Sequence, residues 1–163
     1  MFWKGRKSIE REPREFQTPD PRRVREAVRQ LRVFPELTEA DLKILLGRTE
    51  AVRLPAGQRL FESGELADRV YVLLSGCLHL KHAGAAHVEE LGPGDWISDV
   101  DLDHPVIYGG TAVARTSTVL LVIEASIVAE LHDALGRYLR WRVARANVVR
   151  LQALRCRIEA LSM

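Results

Sequence analysis

The sequence predicts a mainly β protein with flanking helices, and three observations lead to that fold class. Residues 54–123 are a series of short apolar strands, separated by glycine-containing turns at near-regular spacing. The intervals between these strands are too short for crossover helices, which favours an antiparallel barrel or jelly roll over a parallel sheet. Helical patterns stand on both sides of the strands. We therefore expect a double-stranded β-helix, or jelly-roll barrel, over residues 50–124 with a ligand-sized interior.

The segment before the strands predicts a tail and two helices. Residues 1–19 mix charges with prolines and show no apolar period, so we expect a mobile tail there. Asp20 is a good capping residue, and the proline after it suits the first helical turn, which predicts a helix over 21–34. Thr38 begins a capping-box pattern and predicts a second helix over 39–47.

Turn-forming residues divide the strands. The two most apolar strands, at 70–74 and 119–123, are expected to be the most central. The turns that separate the strands are predicted at Pro55-Ala56-Gly57, Ser63-Gly64, Ser75-Gly76, Ala83-Gly84, Pro93-Gly94 and Gly109-Gly110.

The C-terminal segment, residues 125–163, contains a single glycine and no proline, and it predicts one long helix. Its apolar residues recur at alternating spacings of three and four, which is typical of the seam of a paired helix. A lone helix that exposed such a stripe would be unstable, so we expect a homodimer through this helix. The predicted interface is Leu135, Tyr138, Trp141, Ala144, Val148, Leu151 and Ile158.

Charge is distributed unevenly along the chain. Residues 1–34 carry a net charge of +5, residues 35–133 carry −9, and residues 134–163 carry +6. The basic ends can pack against the acidic body of the same or a second chain, or they can hold nucleic acid or anionic lipid. The sequence leaves these alternatives open.

Several functional classes are excluded or disfavoured by composition. No apolar run approaches the roughly 20 residues of a membrane span, and charges interrupt the N-terminus where a secretory signal would be apolar. Cys77 and Cys156 have no paired spacing, which fits a reduced cytoplasm. Nothing resembles a hydrolase triad, a P-loop or a pair of catalytic acids, so we expect no enzyme.

Histidines suggest a metal site only weakly. His82 and His87 are predicted to lie across a hairpin, but two histidines fall short of a three- or four-ligand site. His104 stands without a neighbouring cysteine, which disfavours haem, and residues 1–76 contain no cysteine for an iron–sulfur cluster. We therefore predict no metal and no cofactor, with a cyclic nucleotide as the alternative ligand.

Four stretches, in this order, resemble the cyclic-nucleotide-binding domain of bacterial catabolite-activator-type regulators. The resemblance covers roughly residues 33–160, and its glycines argue for the fold rather than for a ligand. The stretches are PAGQRLFESGE around Gly57, the segment from Ala67 to Gly76, the sequence Leu91-Gly92-Pro93-Gly94-Asp95-Trp96, and the strand from Thr116 to Ile123.

The resemblance implies a ligand-binding cassette after the Gly-Asp-Trp turn. In the family a Gly-Glu pair supplies the carboxylate that takes the ribose hydroxyl, and a Pro-Arg pair supplies the arginine that binds the cyclic phosphate. Here Ser98-Asp99 and Ile107-Tyr108 stand at those positions. The candidate ligand-binding residues are Trp96, Ser98, Asp99, Tyr108, Gly109, Gly110 and Thr111.

The expected function depends on Tyr108. Where the resemblance implies an arginine that binds the phosphate through two hydrogen bonds, this residue offers only one neutral hydroxyl. We expect a non-catalytic signalling module with a degenerate phosphate cassette, acting as a dimer through a protein partner. The alternatives are a genuine cyclic-nucleotide or other small-ligand sensor, and a nucleic-acid-associated regulator that uses the basic ends. Relatives that regulate transcription carry a helix-turn-helix unit after the long helix. This sequence ends at Met163, so we expect no sequence-specific DNA binding.

Overall fold

The computed structural model describes residues 16–162, apart from the side chains at positions 150, 153, 154 and 157. Four helices and eight strands lie in this part of the chain. The helices are α1 (Pro21–Gln30), α2 (Glu39–Arg48), α3 (Ala125–Glu130) and α4 (Ala134–Leu161). The strands are β1 (Glu50–Leu54), β2 (Arg59–Phe61), β3 (Arg69–Ser75), β4 (Leu78–His82), β5 (Val88–Leu91), β6 (Trp96–Ile97), β7 (Gly110–Ala114) and β8 (Thr118–Glu124).

The strands form two four-stranded antiparallel sheets. One has the order β1-β8-β3-β6 and the other the order β2-β7-β4-β5. All strand pairs described are antiparallel, which confirms the predicted mainly β class. This strand order is consistent with an eight-stranded jelly roll. The two strands expected to be most central, β3 and β8, are the inner pair of the first sheet.

The first sheet separates two apolar cores, because successive side chains of a strand point to opposite faces. In β3, Tyr71 and Leu73 face the second sheet, whereas Val70 and Val72 face the helices. Burial of both faces explains why β3 and β8 are almost continuously apolar in sequence. All four helices contribute buried residues to the core on the outer face of the first sheet.

The N-terminal region differs from its prediction at two points. The tail predicted over 1–19 lies mostly outside the described residues, but Gln17 pairs with Arg53 through two backbone hydrogen bonds of 3.2 and 2.8 Å. The first helix ends at Gln30 rather than at residue 34, because Arg32 adopts a left-handed backbone with φ of 48°. The second helix begins on the predicted capping box of Thr38.

The C-terminal segment forms two helices, not the single helix predicted over 125–163. The first helix, α3, ends at Glu130, and the Asp133 carboxylate begins α4 by accepting a hydrogen bond from the Gly136 amide at 3.0 Å. A Cβ at Gly136 would overlap the Leu131 carbonyl, so only glycine permits this close turn. Asp133 is an efficient N-cap, and this local preference interrupts the longer helical pattern.

The two halves of α4 have different surroundings. Leu135, Leu139 and Val143 are at most 3 % exposed and pack against the first sheet. Leu135 was predicted to lie in a dimer interface, and this prediction is wrong for the described chain because its side chain fills the core of its own subunit. Beyond Val143 the helix leaves the core, and its large apolar side chains, such as Val148, Leu151 and Ile158, are exposed. Among the described residues, no helix is both long and apolar enough to span a membrane.

Candidate functional site

A cavity of about 700 Å³ lies between the segment after β6 and the middle of α4. The strand side contributes the end of β4 at His82, and the loop side contributes residues 98–102 and 106–109. The helix covers the opening with Arg140, Val143, Ala144, Asn147 and Leu151. Its volume lies in the range of about 300–1,000 Å³ that is typical of small-ligand pockets.

Short hydrogen bonds shape the loop wall of this cavity. The Ser98 hydroxyl accepts a hydrogen bond from the Val100 amide at 3.1 Å. The Asp101 carboxylate accepts from the amides of Asp103 and His104, at 2.8 and 3.2 Å. The Asp103 amide, followed by the His104 amide, lowers the pKa of Asp101 and favours its charged form. The loop is therefore an ordered wall with a fixed negative charge.

Asn147 connects α4 to this loop. Its side-chain amide donates a hydrogen bond to the Val100 carbonyl at 2.9 Å. The amide oxygen of Asn147 is buried and has no hydrogen-bond partner among the described residues. The residue thus holds the covering helix against the cavity wall.

Asp99 lies at the cavity and contacts the end of the cassette. Its carboxylate accepts a hydrogen bond from the Gly109 amide at 3.1 Å. The Gly109 amide is therefore already hydrogen-bonded to a carboxylate of the chain itself. Of the predicted ligand-binding residues, Ser98, Asp99 and Gly109 are brought together at the cavity.

Tyr108, which stands at the arginine position of the resemblance, does not line the cavity. Its side chain is fully buried in the core between the two sheets. Its hydroxyl donates to the Arg69 carbonyl at 2.9 Å, and its ring stacks on Phe61. The prediction that Tyr108 is a ligand-binding side chain is therefore not met, because its ring packs on Phe61 and its hydroxyl is held by the Arg69 carbonyl, inside the core.

The other three predicted cassette residues lie elsewhere. Trp96 packs edge-on against Phe34 with ring centroids 5.5 Å apart, and the Arg142 guanidinium lies 4.5 Å above its ring. Gly110 is buried beside β4, and the Thr111 hydroxyl accepts from the Ser63 amide at 3.1 Å. These contacts support the fold, so Trp96, Gly110 and Thr111 do not belong to the cavity lining.

The structure adds an arginine that the sequence did not single out. Arg140 donates from Nη1 to the carbonyls of Val128 and Leu131, at 3.1 and 2.7 Å, and so caps the end of α3 beside the cavity. His82 contacts the Glu89 carboxylate at 3.2 Å rather than His87. Helical spacing could have indicated that Val143 lies on the buried side of α4. It does not show which loop this side of the helix covers.

The charged groups of the lining are two carboxylates and one guanidinium that is already hydrogen-bonded within the chain. Asp99 and Asp101 bring negative charge, while the Arg140 guanidinium is engaged by two backbone carbonyls. Such a lining disfavours an anion.

A family profile described as the cyclic nucleotide-binding domain matches residues 51–134. A comparison with curated protein sequences finds no match. Similar solved structures are numerous, and they support the same fold.

Three of these structures represent the range of similarity. A putative cyclic nucleotide-binding protein from Geobacter metallireducens has 28 % identity and a TM-score of 0.63, over 77 % of this chain and 96 % of that one. The N-terminal domain of a transcriptional regulator from Streptomyces coelicolor has 26 % identity and a TM-score of 0.51, over 80 % and 90 %. A cyclic nucleotide-binding domain from Methylobacillus flagellatus has 17 % identity and a TM-score of 0.69, over 88 % and 84 %, and shows likeness of fold alone.

Proposed function

Because this chain belongs to the cyclic nucleotide-binding domain family, we propose that it is a non-catalytic regulatory module that does not hold a cyclic phosphate. It acts as a homodimer and signals through contacts with a protein partner. The family fold supports the regulatory part of this proposal. The cassette supports the loss of the phosphate, and the exposed half of α4 supports the dimer.

The burial of Tyr108 is the observation that carries the proposal. At the position where the resemblance expects a phosphate-binding arginine, the side chain is a neutral phenol inside the core. A charge-assisted hydrogen bond contributes about 1.5–3 kcal/mol, so its loss corresponds to roughly tenfold to a hundredfold in affinity. Asp99 adds a carboxylate that takes the Gly109 amide and repels an anion.

The exposed face of α4 supports the dimer. Trp141, Val148, Leu151 and Ile158 are between 47 % and 65 % exposed, and they lie on the predicted seam. Ala144 is also exposed, and Tyr138 is half-buried at the start of the seam. An apolar stripe of this length on a projecting helix favours pairing with a second copy.

Calorimetric titration of the purified chain with cyclic AMP, cyclic GMP and cyclic di-GMP tests the proposal. We expect no heat of binding for any of the three at concentrations that saturate a low-micromolar site. A saturable signal for any of them would contradict the loss of the phosphate site.

A second candidate function is a sensor of a different small molecule, favoured by the cavity volume of about 700 Å³. Ile107 lines the cavity and is 58 % exposed, so Ile107→Trp fills the opening without disturbing the core. Ile44 on α2 is 48 % exposed and provides the matched control, Ile44→Trp. A ligand found by thermal-shift screening must lose its stabilising effect in the first variant and keep it in the second.

A further inference from the structure

Three side chains on the outer face of the second sheet converge outside the cavity. Cys77 immediately precedes β4, His79 lies in β4, and Glu90 lies in β5. Each offers one ligand atom, and the sulfur, nitrogen and oxygen all lie within 4.8 Å of one another. This cluster is independent of the proposed function, because none of its members lines the cavity.

The register of the hairpin brings the three residues together. His79 stands directly opposite Glu90 in the antiparallel pair β4–β5. Leu78 and Leu80 point into the core and are fully buried, so Cys77 and His79 share the outer face. His79 and Glu90 are thus fixed by the strand pairing, and Cys77 lies in the turn directly before β4.

The backbone at Cys77 is held on both sides. Its carbonyl accepts hydrogen bonds from the Arg115 amide at 2.8 Å and from the Thr118 hydroxyl at 3.1 Å. The residue before it, Gly76, has φ of 89° and packs against the Ser117–Thr118 backbone. The thiol is thus presented from a fixed position, which is what a metal site requires of its scaffold.

We propose that Cys77, His79 and Glu90 form an open three-ligand site for Zn²⁺. A thiolate, an imidazole and a carboxylate are ligands that zinc accepts in tetrahedral coordination, and three protein ligands leave the fourth position to water. Zinc–ligand bonds of about 2.0–2.3 Å bring the ligand atoms closer to one another than they are in this structure, so the side chains must move slightly inward. Glu90 can do so, since its side chain is 75 % exposed and only 3.8 Å from His79.

The local charges favour a dication. The bound site carries two negative ligands, the Cys77 thiolate and the Glu90 carboxylate. Burial and Glu90 raise the pKa of the Cys77 thiol and Arg115 lowers it, so binding of Zn²⁺ must displace the thiol proton. Arg115 is a single positive charge opposed to those two negative ligands, so the site retains a net attraction for Zn²⁺.

The same hairpin provides a matched control. His82 contacts Glu89 at 3.2 Å, with side chains 11 % and 22 % exposed. This pair has the same two ligand types as His79–Glu90, but no cysteine completes it within the described residues. The second free cysteine, Cys156, is exposed on α4 and controls for adventitious thiol binding.

The experiment is a calorimetric titration of the full chain with Zn²⁺, with Mg²⁺ as the reference cation, and a parallel Co²⁺ spectrum. We expect one Zn²⁺ per chain and a thiolate-to-cobalt charge-transfer band. Cys77→Ser and Glu90→Gln should weaken binding by about 100-fold or more, beyond the effect of losing an outer-sphere contact. His82→Gln and Cys156→Ser should leave it unchanged.

Three results would overturn the site. They are the absence of saturable Zn²⁺ binding in the wild type, binding that survives Glu90→Gln, and a cobalt band that disappears with Cys156→Ser instead of Cys77→Ser. Circular dichroism checks that each variant is folded. Glu90→Gln changes an exposed side chain, so the proposal stays testable even where Cys77→Ser disturbs the turn.

Discussion

The Tyr108 ring stacks on the Phe61 ring, with centroids 3.9 Å apart and 12° between their planes. The Tyr71 ring also stacks on Phe61, with centroids 5.8 Å apart. This aromatic cluster lies in the core between the two sheets. The position at which the resemblance expects a phosphate-binding arginine has therefore become part of the apolar interior.

Substitution of Tyr108 tests this placement. We expect Tyr108→Phe to lower the free energy of unfolding by about 0.5–1.5 kcal/mol, because the Arg69 carbonyl loses its hydrogen-bond donor. Tyr108→Arg would bury a charge among Phe61 and its neighbours, and it should cost more than about 4 kcal/mol. Urea denaturation followed by circular dichroism measures both. An arginine variant as stable as the wild type would show that this side chain can leave the core.

The sequence was sufficient to predict the strand class because its signals were local. Glycine turns and alternating apolar residues depend on neighbours along the chain, and β3 and β8 occupy the central positions expected for them. The direction of Tyr108 was not predictable in this way. An aligned position identifies the residue, but tertiary contacts with Phe61 and the Arg69 carbonyl decide which way the side chain points.

The long helix shows a second limit. Residues 134–161 carry two apolar stripes, one through Leu135, Leu139 and Val143 and one through Val148, Leu151 and Ile158. Helical spacing predicts both stripes, but only the tertiary packing shows that the first belongs to the subunit's own core. The Cys77–His79–Glu90 cluster was missed for a similar reason, since it depends on the register between β4 and β5.

Gly76 and Gly84 form a matched pair of turn glycines. Both have positive φ, 89° and 74°, but a Cβ at Gly76 would overlap the Ser117 carbonyl and lie 2.7 Å from the Thr118 hydroxyl. A Cβ at Gly84 meets nothing within 4 Å. We expect Gly84→Ala to cost about 1–2 kcal/mol from the backbone alone, and Gly76→Ala to cost at least about 2 kcal/mol more. Thermal unfolding measures the difference, and equal losses would contradict the close packing at Gly76.

The exposed stripe of α4 predicts the assembly state. Val148 and Ile158 are 50 % and 65 % exposed and contribute little to the subunit core. Val148→Glu combined with Ile158→Glu should convert the dimer to a folded monomer, because paired glutamates repel across the seam. Light scattering coupled to size exclusion measures the mass.

The matched control for the stripe is Val88→Glu. Val88 is 38 % exposed on β5, far in sequence from α4. It introduces the same charge and should leave the dimer intact. A wild-type chain that elutes as a monomer, or a dimer that survives both substitutions in α4, would remove the basis for pairing through this helix.

Tyr138 predicts an alkaline dependence of stability. Burial raises the pKa of its phenol, Arg142 acts against that shift, and Glu36 adds to it. Since the folded pKa lies above the unfolded value of about 10, the folded state holds the proton more tightly. The stabilisation is complete below the unfolded pKa and is lost as the pH rises through the folded pKa.

Tyr138→Phe isolates this contribution, because all other titrating groups are common to both proteins. The Tyr138 hydroxyl is buried without a hydrogen-bond partner in the part of the chain that the structure describes, so the variant should be no less stable at neutral pH. Above pH about 10 the wild type should lose stability faster than the variant, as its unfolded state releases the phenolic proton first. Urea midpoints measured from pH 7 upwards give the comparison. Parallel pH profiles would mean that the phenol ionises equally in both states and that its burial has no energetic consequence.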